Sequence, residues 1–123
     1  MTTADTHVGD FAERTGCAVV TGGSGGIGAA VARMLAYRGS DLAITYRSNE
    51  AAAEAVVADA VSVGRQAAAW VLDLTNEEAA RSFVATASAQ FGGIHTVVYA
   101  SGPHVPMVHL SRVSPAQFRV QLA

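Results

Sequence analysis

With 123 residues, half of them hydrophobic and only 15% charged, the chain is long enough to bury a core and too apolar to stay disordered. A formal net charge of -2 with no Lys/Arg block gives nucleic acid or an anionic membrane surface no electrostatic hold, so neither is expected as a partner. No apolar stretch approaches the roughly 20 residues that span a bilayer, and the opening MTTADTHVGDFAERTG lacks the basic start and apolar centre of a signal peptide, so a cytoplasmic protein is expected.

Residues 1–15 are polar and unpatterned and read as a loose lead-in to a single domain over 16–123. The first apolar run is Cys17–Thr21. Cys17 is the only cysteine, which excludes an intrachain disulfide and a cysteine-built metal site; within this run it reads as an inert buried thiol. Five glycines crowd residues 22–28, and a helical pattern follows at Ile27, Ala30, Val31, Met34 and Leu35, ending at Gly39. A second apolar run, Leu42–Tyr46, leads to a second helical pattern at Ala53, Val56, Val57, Ala60 and Val61, stopped by Gly64. After the third run, Ala67–Leu72, Thr75 and Glu78 have the spacing of a capping box, in which each side chain satisfies an orphan amide of the helix start. The helix it opens carries Ala80, Phe83, Val84, Ala87 and Phe91 and ends at Gly92-Gly93. A fourth run spans Ile94–Ala100. Ser114 as N-cap, Pro115 in the first turn and Gln117 closing a box predict a further helix, of which nine residues are present.

The apolar runs are continuous rather than alternating, as expected of parallel strands covered by helices on both faces. The order β-α-β-α-β-α-β, plus the start of a further helix, predicts an α/β fold of Rossmann type. Right-handed crossovers make it a doubly wound parallel sheet with strand order 3-2-1-4.

A strand that ends in glycines and turns at once into a helix aims the helix's unpaired amides above the sheet. The partial positive charge at the helix N-terminus attracts phosphate, and glycine lets the backbone come close. The segment fits two registers, G-x-G-x-x-G at Gly23, Gly25 and Gly28, and T-G-x-x-x-G-x-G at Thr21, Gly22, Gly26 and Gly28. Both put a pyrophosphate at the same helix end; a tight turn that merely packs helix on strand is the alternative. NAD sites usually carry an acidic residue about 20 positions beyond the glycines, to accept from the ribose hydroxyls. Tyr46 and Arg47 stand there instead. A guanidinium suits the 2′-phosphate of NADP, and a solvated arginine ahead of a helix is the other reading. NADP is therefore expected ahead of NAD. Asp73, after the third run, is either a loop carboxylate or a ligand contact.

The second register, TGGSGGIG, resembles the cofactor loop of the short-chain dehydrogenase/reductase family, and ITYRSNE, LDLTNEE and VVYASG agree with it in order and spacing. The resemblance covers about residues 16–123 and corresponds to the cofactor-binding, N-terminal half of the family. It implies cofactor contacts at Thr21, Gly22, Ser24, Gly25, Gly26, Ile27 and Gly28, with Arg47 on the 2′-phosphate and Ser48 beside it. Asp73-Leu74 matches the pair that meets the adenine amino group, and Ala100 and Gly102 keep the backbone close to the cofactor. Tyr99-Ala100-Ser101-Gly102 replaces the usual Asn-Asn-Ala-Gly, which leaves the ribose contacts open.

The family's chemistry is hydride transfer between nicotinamide and a carbonyl or alcohol carbon of a small molecule, such as a ketone or 3-oxoacyl thioester. Its proton passes through a Tyr-x-x-x-Lys pair. All eight basic residues here are arginines, so the chain holds no lysine and no catalytic residue is assigned. The resemblance places that motif beyond the last helix start, so a truncated chain, inactive alone and homo-oligomeric when complete, is expected. The alternative is a stand-alone nucleotide-binding or interaction module without catalysis. A sugar-nucleotide epimerase relative is a third reading, opposed by the three-residue gap between Gly22 and Gly26. His104 and His109 lie five apart with no carboxylate near, so no metal is expected; Trp70 and His95 read as packing residues.

Overall fold

The computed structural model describes residues 9–101. Four parallel strands, β1 (Cys17–Thr21), β2 (Asp41–Tyr46), β3 (Ala67–Val71) and β4 (Ile94–Tyr99), form one sheet in the order β3-β2-β1-β4. Three helices alternate with them: α1 (Gly26–Tyr37), α2 (Glu50–Ser62) and α3 (Glu77–Phe91). The predicted architecture and strand order are those observed. Every residue of β1 is buried, because it is flanked by β2 and β4 and covered on both faces.

One face of the sheet presents Ala18, Val20, Leu42 and Ile44 to α1 and α2, and the other sets Cys17, Val19 and Ala43 against α3 through Phe83 and Ala87. Trp70 meets Phe83 edge-on, with ring centroids 5.4 Å apart, so it serves as the packing residue expected of it. Burial pushes the Cys17 thiol up to about 11, with Asp41 adding to the shift. Since the thiolate is the reactive form, Cys17 is expected to ignore a thiol reagent at neutral pH in the native chain. It should label stoichiometrically in denaturant; rapid native labelling would show that β1 is not sealed.

The buried stripe of α1 differs from the expected one. Gly28, Ala29, Ala32, Leu35 and Ala36 face the sheet, whereas Ile27 and Met34 are exposed. Small residues let the helix axis approach the strands closely, and that contact outweighs the larger but fewer side chains one position away. The capping of α3 also differs. Its N-cap is Asn76, whose Oδ1 accepts from the Ala79 N–H at 3.0 Å, one residue after the predicted Thr75. Thr75 instead gives both its N–H (2.9 Å) and its hydroxyl (2.7 Å) to Asp73 Oδ1. An ionised carboxylate two residues back is the stronger acceptor, and asparagine is at least as good a cap as threonine.

The rim at the strands' N-terminal ends is tied by side chains. Gln66 N–H donates to Asp41 Oδ1 at 3.0 Å, while Arg65 donates to the Gly39 carbonyl at 2.9 Å and lies 4.0 Å from Asp41. Residues 9–14, part of the lead-in, make a turn that docks at the same rim. Phe11 stacks on His95 with centroids 5.8 Å apart, Arg14 sits over the Phe11 ring, and Asp10 pairs with Arg38 at 3.2 Å. Among the described residues β4 pairs only with β1, and its Val97 and Tyr99 are more than half exposed.

Candidate functional site

All four strands run the same way, so their C-terminal ends share one rim, and the loops leaving them enclose a cleft of about 500 Å³. Its floor is the glycine turn between β1 and α1. Gly22 has φ +71°, and a Cβ there would lie 2.8 Å from the Ala100 carbonyl oxygen. A Cβ on Gly28 would stand 2.0 Å from the Gly22 carbonyl oxygen. Gly22 thus meets the left-handed backbone demand, and Gly28 lets the first turn of α1 sit directly on the loop. Helix α1 has Gly25 as its N-cap residue, with no side-chain cap and no acidic residue in its first turn, whereas Asn49 and Asn76 cap α2 and α3. Amides and positive dipole end are left for something else at that rim.

The predicted residues divide into three groups. Gly22, Ser24, Gly25, Arg47, Ser48, Asp73, Leu74 and Ala100 line the cleft together. Thr21, Gly26, Ile27 and Gly28 do not. Thr21 is buried beneath it, its Oγ1 accepting from the Ala100 N–H at 3.3 Å, and Gly28 supports the turn from below. Gly26 has open space where a Cβ would stand, and Ile27 is 78% exposed. Gly102, with His104, His109, Ser114, Pro115 and Gln117, lies outside the described residues. Among the lining residues not assigned from the sequence are Thr45, Asn49, Leu72, Thr75, Tyr99 and Ser101. Asn49 and Thr75 sit just after strands whose C-terminal ends were already placed at the ligand rim, and that placement was the signal available.

Arg47 follows β2 and Asp73 follows β3, and the pairing of those strands brings Arg47 Nη2 to 3.9 Å from Asp73 Oδ2. The hydroxyl and amide of Thr75 hold the Asp73 carboxyl below its ordinary range, helped by Arg47. The Tyr46 phenol is pushed up, first by desolvation and then by Glu50 and Glu54, so it keeps its proton at neutral pH. The cleft therefore combines a helix N-terminus, a guanidinium and a fixed carboxylate acceptor along one glycine-floored rim. Such a set suits an elongated ligand with phosphates and a hydrogen-bond donor. Among the described residues no three His, Cys, Asp or Glu side chains gather in a way that would hold a metal, and no helix is long and apolar enough to cross a membrane.

Comparison with known proteins agrees with this geometry. The family model described as short chain dehydrogenase matches residues 16–121. An uncharacterized oxidoreductase of Methylorubrum extorquens is 42% identical over 85 residues, which is 69% of this chain and 34% of that protein. The cis-4-hydroxycyclohexanecarboxylate dehydrogenase of Sinomonas cyclohexanicum is 37% identical over 110 residues, 89% of this chain and 42% of that one. The crystal structure of a short chain dehydrogenase from Burkholderia cenocepacia in complex with NADP superposes with a TM-score of 0.75 at 37% identity, covering 87% of this chain and 43% of that one. The chain thus spans between a third and a half of the length of these relatives. With the strand order, the glycine turn and the family match in agreement, this chain belongs to the short-chain dehydrogenase family.

Proposed function

We propose that the chain is the NADP(H)-binding portion of a reductase that acts on a small carbonyl or alcohol substrate. The observation that carries the reading is Arg47 at the cleft mouth, after β2, where an NAD site would place an acidic residue. The residues present fit the cofactor: Gly22 and Gly25 line the cleft without side chains, and the first turn of α1 lacks a side-chain cap.

In this reading Gly22, Ser24 and Gly25, together with the α1 amides, hold the pyrophosphate. Arg47 and Ser48 hold the 2′-phosphate. Asp73 accepts from the adenine amino group, Leu74 packs on the ring, and Ala100 and Gly102 give the backbone room. When bound, the nicotinamide would supply the hydride to a carbonyl carbon or accept it from an alcohol carbon. This chain's own residues bind and orient; none of its tyrosines is followed by a lysine, so proton delivery is assigned to residues outside it. The whole protein would be a homo-oligomer, as the family resemblance implies, and cytoplasmic.

Titration of the 123-residue chain with NADPH and NADH, followed by nicotinamide fluorescence, tests the reading. Saturable binding with NADPH the tighter ligand is expected. So is no NADPH consumption with a panel of ketones and 3-oxoacyl thioesters. Equal affinity for the two ligands would sink the NADP assignment, and turnover that follows the chain through purification would sink the assignment of the proton step. The missing lysine also favours a second reading, a nucleotide-binding module without catalysis. Coding sequence after Ala123 separates the two: an in-frame Tyr-x-x-x-Lys supports the reductase and a stop codon the module.

A further inference from the structure

Resting on the dinucleotide reading above, we propose that Asp73 is the resident counter-ion of Arg47 and thereby sets how strongly the cleft prefers a ligand carrying a 2′-phosphate over one without it. The two residues leave neighbouring parallel strands, with Tyr46 and Val71 paired at the strand ends, so the fold holds their loops side by side. Asp73 divides its two oxygens. Oδ1 accepts twice from Thr75, and Oδ2 is the oxygen 3.9 Å from the guanidinium.

That division matters because the Thr75 bonds pin the carboxylate in place. They also favour its ionised form, so it stays a charged neighbour of Arg47 throughout the neutral range. The Arg47 side chain is 74% exposed and that of Asp73 50%, so the pair is weakly held and exchangeable. A phosphate reaching Arg47 must take it from Asp73 and then remain beside that fixed negative charge. A ligand identical except for the phosphate meets neither cost. Asp73 is thus a positioning residue for the phosphate preference: it acts through Arg47, with direct repulsion as a smaller contribution.

The test is the ratio of NADH to NADPH dissociation constants, measured by fluorescence titration on the 123-residue chain and its variants. Any contact between residue 73 and the adenine is common to both ligands and cancels in the ratio. Asp73→Asn keeps an oxygen for Thr75 and removes the charge; Asp73→Ser removes the charge with a smaller side chain. Both are expected to raise the preference for NADPH by about two- to fivefold, the scale of one exposed ion pair. In an Arg47→Ala background Asp73→Asn should move the ratio less. An unchanged or lowered ratio, or an equal gain in both backgrounds, overturns the proposal while leaving the dinucleotide reading intact. If the unmodified chain binds neither ligand, that reading has failed and the proposal falls with it.

Discussion

Alanine at Gly28 is expected to lower the stability of the chain by about 1–3 kcal/mol, the usual cost of forcing atoms into a filled site. Its Cβ would stand 2.0 Å from the carbonyl oxygen and 2.8 Å from the carbonyl carbon of Gly22, and neither is the free end of a flexible side chain. Relief requires the glycine turn to move away from α1, which displaces the floor of the cleft. Affinity for NADPH and NADH should therefore fall together. Gly26 provides the contrast, since open space surrounds the position of its Cβ. Gly26→Ala is expected to leave stability within about 0.5 kcal/mol yet weaken both ligands, because the added methyl stands beside the uncapped amides. Urea unfolding paired with fluorescence titration separates the two effects. A Gly28→Ala chain of native stability would mean that the turn and α1 are not in close contact.

Arg47→Ala is expected to act on one ligand only. Loss of a charge-assisted hydrogen bond costs about 1.5–3 kcal/mol, equivalent to about 10- to 150-fold in affinity. The side chain is mostly exposed, which puts the expected loss near tenfold, because water and salt screen part of the contact. NADH, which lacks the 2′-phosphate, should bind the variant about as it binds the unmodified chain, and the salt dependence of NADPH binding should flatten. Unchanged NADPH affinity would remove Arg47 from the site.

These two substitutions also mark how legible the molecule was in its sequence. The strands were readable because β1 and β2 are continuous apolar runs buried on both faces, and the crossovers then left little freedom in strand order. The sheet-facing side of α1 was not. Patterns of large apolar residues pick out Ile27 and Met34, whereas close helix-on-sheet contact selects Ala29, Ala32 and Ala36. The start of α3 was misplaced by one residue because Asp73, Thr75 and Asn76 all have side chains suited to helix starts, and only geometry decides which acceptor takes which amide. At the cleft, the residue types at Arg47 and Asp73 were legible. Their proximity was not, since it depends on two loops meeting across the β2–β3 pair.

The ties at the N-terminal rim carry a consequence for engineering. Asp41 with Arg65 and Gln66, and Phe11 with His95, fasten the sheet at the end away from the cleft, and none of these residues lines it. Changes at sites far apart and without shared partners add nearly independently. Folding strength and ligand choice can therefore be adjusted on separate dials: better packing around Phe11 or a tighter Asp41–Arg65 pair would let the chain tolerate a destabilising substitution in the glycine turn. Selection for altered cofactor preference is then best begun from a variant reinforced at the far rim, where the added stability leaves recognition untouched.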